Sequence, residues 1–525
     1  MRKLRNVLFI MSDQLRWDYL SCYGRSPVPT PNIDRIAARG VRYQRAYCSS
    51  PVCGPSRMSF YTGRTAFSHG ASWNFVPLPV DERTLGDYLK PTGARVALVG
   101  KTHMVPDLEG LKRLGVDPKT DLGVHLSQCG FEPYERDDGV HPPGKLNPDL
   151  GYNRYLNALG YAGANPWHDH ANSALGADGS VLSGWSLRHA RLPARVAEPH
   201  SETAYMTDRA LQFIRETGDR PWVLHLSYIK PHWPLMAPAP YHALYGPDDV
   251  PAPVRSAAER EHAHPVVRAF MDMECSQTYS DDTMRAATVP TYMGLIRQLD
   301  DHIGRLLDEL ERSGRLDDTA IIFTSDHGDY LGDHWLGEKE LFHDASARIP
   351  LLISDPDPSA DATRGTTDAR MVEAIDIVPT ILDWMGIADP GQRIEGRSLA
   401  PSLRAAAETD PWRDAAFSEI DYAFYRSRLT LGVSPAAARA WMVRSERWKY
   451  VHYKGFAPQL FDLQEDPDEL VDLGGSAGHA AVRAEMQSML LDRLTDRRSR
   501  VALSDQVVAD RTDGSTRAGV IIGQW

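Results

Sequence analysis

The sequence predicts an α/β protein: a large, mixed but mostly parallel sheet flanked by helices, with a smaller C-terminal antiparallel sheet and helix. Three observations carry this. Short apolar runs alternate with helical patterns before about residue 404, as crossovers between parallel strands require. One long stretch carries Leu295, Ile296, Leu299, Ile303, Leu306, Leu307 and Leu310 at i, i+3, i+4 spacing, a helix face turned to a core. Beyond about residue 404 the helical crossovers give way to closely spaced strand patterns, which read as a meander.

Taken in order, the strand candidates of the first part are Asn6–Ser12, Arg95–Gly100, Trp222–Tyr228, Thr319–Ser325 and Ile349–Ser354. Thr30-Pro31 reads as an N-cap followed by proline at the first helical position, and Gly40 ends that helix. Further helices are expected over Glu202–Glu216 and from about Pro290 to Ser313. Residues 107–199 are rich in Gly, Pro, Asn, Asp and His and weakly periodic, so they read as loops inserted over one end of the sheet, shaping a pocket. Trp167-His168-Asp169-His170 within them is read as loop surface rather than a metal cluster. Arg439–Val443, Trp448–His452 and Gln459–Asp462 form the meander, and a helix follows near Ala480–Arg497. The expected division is a catalytic α/β domain over 1–404, an α+β subdomain over 405–497 and a tail over 498–525. The apolar Val520-Ile521-Ile522 in that tail suits contact with the body or a neighbouring subunit.

Composition excludes several classes. A formal net charge of −12 opposes a nucleic-acid partner, whose phosphates demand a basic face. An acidic protein that handles an anion must concentrate positive charge at one site. Five cysteines (Cys22, Cys48, Cys53, Cys129, Cys275) are too few, and odd in number, for a disulfide framework. The opening MRKLRNVLFIMSDQ mimics a secretory leader, but its apolar run is short and ends in Asp13, so it reads as the first buried strand. No apolar stretch reaches membrane-spanning length, and the expectation is a soluble, cytoplasmic protein with no membrane partner.

Two strand ends carry paired candidate ligands. Asp13-Gln14 follow the first strand, and Asp326-His327 follow Ile321-Ile322-Phe323-Thr324-Ser325. Ligands of open α/β sheets sit beyond the carboxyl ends of strands, so both pairs are placed to meet. Two carboxylates, an amide oxygen and an imidazole can hold one divalent cation. Oxygen donors suit Ca²⁺, Mg²⁺ or Mn²⁺, and the imidazole tilts the choice toward Mn²⁺; the expectation is one Ca²⁺ or Mn²⁺.

Between these pairs lies Cys53-Gly54-Pro55-Ser56-Arg57. A cysteine followed by x-Pro-Ser-Arg resembles the signature at which sulfatase cysteine is oxidised to Cα-formylglycine. The chain also carries, in order, Asn6–Arg16 (NVLFIMSDQLR), Thr30–Tyr47, Gly100–His103 (GKTH), Pro231–Pro234 (PHWP), Thr324–Lys339 (TSDHGDYLGDHWLGEK) and Leu460–Leu463 (LFDL). This series resembles sulfatases of the alkaline phosphatase superfamily, in particular the branch that includes phosphonate monoester hydrolases, over nearly all but the last thirty or so residues.

The resemblance implies an alkaline phosphatase-like fold, metal ligands at Asp13, Gln14, Asp326, His327 and modified Cys53, and the formylglycine-generating machinery as a partner. It further implies that a hydroxyl of the formylglycine hydrate attacks the ester, and that collapse of the second hydroxyl to a carbonyl then releases the acid. Arg57, one helical turn after Cys53, is expected to hold the diol or a substrate oxygen as a fixed positive charge. Asn74 matches the family's donor to a non-bridging oxygen. Lys101 and His103 match its lysine-x-histidine pair, with His103 taking the proton of the second hydroxyl. His232 is the candidate acid for the leaving group, since an imidazole titrates near neutrality. Lys339 completes the anion clamp, while His225 and His343 are left as structural.

Two features separate the candidate activities. Asp13-Gln14, Asp326-His327, Ala239–His242 and Val250–Val254 look like the phosphonate branch, whereas Lys101 and His103 stand where that branch tends to have tyrosine and threonine. The expectation is an arylsulfatase with side activity on phosphonate monoesters and phosphodiesters, Trp73 and Trp233 being available to stack on an aryl group. The alternatives are a phosphonate monoester hydrolase with phosphodiesterase activity and a non-catalytic anion binder with unmodified Cys53. A two-metal phosphomonoesterase is opposed by cysteine at the nucleophile position. Small sulfate or phosphonate esters are the expected ligands, and a homodimer or homotetramer the expected assembly.

Overall fold

The computed structural model describes residues 4–24, 26–139, 150–387, 391, 393–406, 411–498 and 500–512. The apolar Val520-Ile521-Ile522 lies outside the described residues.

The main strands of the first part are β1 (Asn6–Asp13), β2 (Val41–Tyr47), β3 (Arg95–Gly100) and β4 (Glu132–Arg136). A short antiparallel ribbon follows, β5 (Ser173–Leu175) with β6 (Val181–Ser183). Then come β7 (Trp222–Pro231), β8 (Thr319–Ser325), β9 (Leu351–Ser354) and β10 (Thr366–Glu373). Eight of these form one sheet in the order β10-β2-β9-β8-β1-β7-β3-β4. Every pairing is parallel except those of β9, which runs antiparallel to both β2 and β8.

β1 lies centrally, buried along its whole length, and its alternate residues feed two cores. Val7, Phe9 and Met11 pack on the layer containing Met58, Phe60 and Tyr61 of the helix Cys53–Thr62. Leu8 and Ile10 pack on the opposite layer with Leu295, Ile296, Leu299 and Ile303. The expected stripe of the long helix is therefore a true core face. That helix runs over Asp282–Arg312, so Pro290 lies inside it rather than at its start. Asp281 supplies the N-cap by accepting from the Thr283 amide, and the missing proline N–H costs one hydrogen bond in an otherwise well-packed helix.

The helix Pro31–Arg39 forms where expected, but Thr30 does not cap it. The buried Asp300 carboxylate accepts from the Asn32 and Ile33 amides instead, while Thr30 Oγ1 accepts from the Ser21 amide. Four strands of the two larger sheets were not foreseen, and neither was the β5–β6 ribbon, which lies in the stretch expected to be loops. β2, β4 and β10 mix charged residues into their runs, and two of them lie at the sheet edges, where such residues blunt aggregation. The fourth, β11 (Ala416–Asp421), opens the C-terminal sheet and continues through β12 (Arg439–Arg444), β13 (Trp448–Tyr453) and β14 (Gln459–Asp462), all antiparallel. The helix Ala480–Thr495 covers it through Met486 and Leu490 on Val443, Tyr450 and Leu460. Among the described residues, no helix is long and apolar enough to cross a membrane.

Candidate active site

Four parallel strands end at the same edge of the sheet, and each hands over a polar residue there. β1 ends in Asp13, β3 is followed by Lys101, β7 by His232 and β8 by Asp326. Ser12 pairs with Ser325 and Gly100 with Ser227, so the four ends are level. At Gly100 (φ 105°) any Cβ would lie 1.9 Å from the Ser227 carbonyl oxygen, so only glycine lets the chain leave β3 this close to β7. The helix Cys53–Thr62, buried at all ten positions, points its N-terminus at the same spot with Cys53 as its first residue.

Asp13, Cys53, Asp326 and His327 each offer one ligand atom, all within 4.8 Å of one another. Cys53 Sγ lies 3.1 Å from His327 Nε2, 3.4 Å from Lys339 Nζ and 3.7 Å from Asp13 Oδ1. What turns these groups inward is their outer partners. Arg57 donates to Asp326 Oδ2 at 2.8 Å and to Asp13 Oδ2 at 3.2 Å, and Lys101 Nζ meets Asp13 Oδ2 at 2.5 Å. Asp13 Oδ1 is thereby left facing the centre, while Asp326 Oδ1, 3.7 Å from His327 Nε2, also accepts from the Gln14 and His327 amides, each at 3.0 Å. His327 Nδ1 lies 2.9 Å from the Gly328 carbonyl oxygen and must donate to it, which fixes Nε2 as the lone-pair nitrogen toward Cys53. Gln14 donates through Nε2 to Asp329 Oδ2 at 2.5 Å, and its Oε1 lies 2.8 Å from Lys339 Nζ, on the site side. Two carboxylate oxygens, an oriented imidazole nitrogen and an amide oxygen at close range form a donor set that fits one divalent cation.

The electrostatics agree with that reading. Burial alone would raise the Asp13 carboxyl, but neighbouring cations, Lys101 foremost, outweigh it and hold it well below the usual carboxylate range. Burial, followed by the Asp13 charge, pushes the Cys53 thiol up to about 11, so the unmodified side chain is a neutral thiol and a weak nucleophile. Burial lowers His327, leaving it neutral as a ligand must be.

Arg57 is fully buried, and its other donors go to the Lys101 carbonyl and Ser227 Oγ at 2.9 and 2.7 Å. It braces the two carboxylates rather than reaching the cavity. Asn74 Oδ1 accepts from the Gly54 amide at 2.8 Å, which leaves Nδ2 as its free donor. His103 sits at φ 56° with Nδ1 enclosed and without a partner among the described residues. Burial, reinforced by Lys101, holds it well below the usual imidazole range. His232 Nδ1 lies 2.8 Å from the Trp233 carbonyl oxygen and its Nε2 lies 3.4 Å from Lys339 Nζ, an arrangement of a neutral ring that accepts from the ammonium.

All of these except the deeper Asp13, Gln14, Arg57, Asp326 and His327 border one cavity of about 400 Å³. The inserted segment contributes Asp138, Trp167 and Trp185 to its wall, and Trp233 lines it as well. Trp73 does not: it is buried against Tyr425 and Phe424, at ring separations of 4.5 and 5.6 Å.

Several site residues escaped sequence reasoning. Asp138 accepts from the Thr102 and His103 amides at 2.9 and 2.8 Å and so shapes the Lys101–His103 turn, yet it lies 35 residues away from His103 with no local signal. Ser227 and Asp329 hold Arg57 and Gln14; Asp329, three residues after Asp326, was within reach of a closer reading of that motif. His225 is structural, tied to Tyr61 and the Phe9 carbonyl. His343 stacks on His334 at 3.9 Å and 16°, and with Glu259 these form a second group of ligand-type atoms. Stacked rings send their lone pairs side by side rather than toward one ion, so that group is not read as a metal centre.

Comparison with known proteins agrees with this geometry. The sulfatase family model matches residues 5–387, and the model for the C-terminal part of N-sulphoglucosamine sulphohydrolase matches residues 332–496. The chain is 34% identical over 517 residues to the multifunctional alkaline phosphatase superfamily protein PehA of Trinickia caryophylli, covering 94% of this chain and 95% of that protein. It is 26% identical over 506 residues to an arylsulfatase of Clostridium perfringens, covering 94% and 95%. The solved structure of the phosphonate monoester hydrolase SpPMH from Silicibacter pomeroyi is similar at TM-score 0.81 and 29% identity, over 95% of this chain and 97% of that one. With a family model spanning most of its length and a strand-end site that fits one divalent cation, this chain belongs to the sulfatase family.

Proposed function

We propose that the protein hydrolyses sulfate monoesters of the aryl type, with phosphonate monoesters and phosphodiesters as secondary substrates. The observation that carries this reading is the convergence of Asp13, Asp326, His327, Lys101 and Lys339 on the Cys53 side chain at the floor of a largely apolar cavity. Formylglycine made from Cys53 would supply a hydrated carbonyl as nucleophile, and one Ca²⁺ or Mn²⁺ held by Asp13, Gln14, Asp326 and His327 would supply positive charge beside it.

The chain's own residues then divide the work. Lys101 and Lys339 offset negative charge on the non-bridging oxygens, in a buried setting where each ammonium counts for more than in water. Asn74 offers its Nδ2 to one of those oxygens. Arg57 acts one step back as a positioning residue, holding the outer oxygens of both carboxylates, where the sequence pointed to a contact with the diol or a substrate oxygen. His103, kept neutral, is the base that accepts the proton of the nucleophile's second hydroxyl. His232 is the acid for the leaving oxygen, a task that requires its ring to be in the imidazolium form when the ester is bound.

A second reading, phosphonate monoesters as the main substrates, is favoured by the similarity to SpPMH. Against it stand Lys101 and His103 at the β3 end. Comparing kcat/KM for 4-nitrophenyl sulfate and 4-nitrophenyl phenylphosphonate decides between them. A higher value for the sulfate is expected, and a higher value for the phosphonate reverses the order.

A further inference from the structure

This inference rests on the hydrolase reading and concerns the part of the cavity that receives the leaving group. Most charged side chains lining it are already engaged. Lys101 is held by Asp13, Lys339 meets Gln14 Oε1, and Arg136 donates to Asp138 Oδ2 at 2.6 Å. Glu338 differs. It borders the cavity and is half-buried, and its carboxylate has no hydrogen-bond or ion-pair partner among the described residues. Its backbone is held at φ 61°, where a non-glycine residue sits under strain.

An unpaired carboxylate next to Lys339 works against a site built to attract an anion, because like charges at short range repel. It favours binding only when the substrate brings a positive charge to it. The remaining wall suits such a group. Phe75, Trp167, Trp185, Trp233 and Tyr425 border the same cavity, and the faces of aromatic rings attract cations, indole most strongly. A quaternary ammonium needs no hydrogen-bond acceptor, so rings and one carboxylate are a sufficient lining for it.

We propose that the site prefers zwitterionic esters, with the sulfate or phosphonate at Cys53 and an ammonium group on the leaving alcohol or phenol held by Glu338 among these rings. Glu338 is then a specificity-determining residue.

The test uses two leaving groups of nearly equal shape, 4-(trimethylammonio)phenol and 4-tert-butylphenol, titrated calorimetrically into the wild-type protein and Glu338→Gln. The wild type is expected to bind the cationic phenol about ten-fold or more tightly than its neutral counterpart, and Glu338→Gln to reduce that advantage to about two- to three-fold. Equal affinities in the wild type, or the same advantage in both proteins, overturn the proposal. A purely structural role for Glu338 would weaken both phenols together and leave the ratio unchanged, which also counts against it. Turnover of the two corresponding sulfate esters by the wild type reads the hydrolase assignment separately: turnover without preference defeats the ammonium subsite alone, and preference without turnover defeats the hydrolase reading alone.

Discussion

Arg57 and Asp326 form an ion pair with no solvent exposure on either side chain, Nε to Oδ2 at 2.8 Å, and the same guanidinium reaches Asp13 at 3.2 Å. One fixed cation thus sets the orientation of two carboxylates from different strands, β1 and β8, before any substrate arrives. Removing it leaves two buried charges short of a partner. Arg57→Met is predicted to lower stability by about 3–5 kcal/mol, read from the denaturation midpoint, and to lower bound metal in elemental analysis. An Arg57→Met protein of normal stability and metal content that merely turns over slowly would place Arg57 in direct substrate contact instead.

The metal-binding reading of the four converging groups predicts that Asp13→Asn and Asp326→Asn each lose about 100-fold or more in kcat/KM for an aryl sulfate. Exhaustive chelation of the wild type should abolish turnover, and re-addition of Mn²⁺ or Ca²⁺ should restore it. Undiminished turnover by protein shown to be metal-free would exclude the cation from the reaction.

Asn74 has two separable duties, accepting from the Gly54 amide and offering Nδ2 to the cavity. Asn74→Ala loses both, at a stability cost of about 1 kcal/mol for the helix end and a fall in kcat. Asn74→Asp keeps the acceptor but replaces the donor by negative charge, so its melting temperature should stay near wild type while kcat/KM drops further than in the alanine variant. If Asn74→Asp equals wild type in turnover, the donor role is wrong.

Asp137 and Glu202 are buried carboxyls that act on each other's titration, and the Trp167 indole N–H donates to Glu202 at 2.5 Å. Burial, then the Glu202 charge, holds Asp137 well above its ordinary value of 3.8. The folded state therefore keeps a proton that the unfolded chain releases. That linkage stabilises fully below about pH 4 and is lost as pH rises from there through the raised folded value. Asp137→Asn, which cannot ionise, should gain melting temperature over wild type, by little near pH 4 and by more as pH increases. A gain independent of pH would show that the carboxyl is not titrating.

How much of this was legible in sequence follows from how local each signal is. β1 and β8 end in Asp13-Gln14 and Asp326-His327 directly after continuous apolar runs, and a strand buried on both faces announces itself that way. The helix stripe from Leu295 to Leu310 was equally plain. β4 (EPYER) and β10 (TTDARMVE) carry the polar residues of sheet edges and left no apolar run to find. The Lys101–His103 turn depends on Asp138, delivered by the neighbouring parallel strand from a distant part of the chain, and parallel pairing leaves no mark at either position. Arg57 was legible as a site residue, but its task was not: sequence gives its place on the helix, and only packing shows that Asp13, Asp326, Ser227 and the Lys101 carbonyl take up its donors.

The most direct test of the account is peptide mass spectrometry across residue 53 in protein purified from cells that carry the modifying machinery, with 4-nitrophenyl sulfate turnover measured on the same sample. The account predicts that the cysteine sulfur is replaced by an aldehyde oxygen in a fraction of molecules, and that specific activity rises in proportion to that fraction. Full activity in a sample whose residue 53 is entirely unmodified thiol would contradict it.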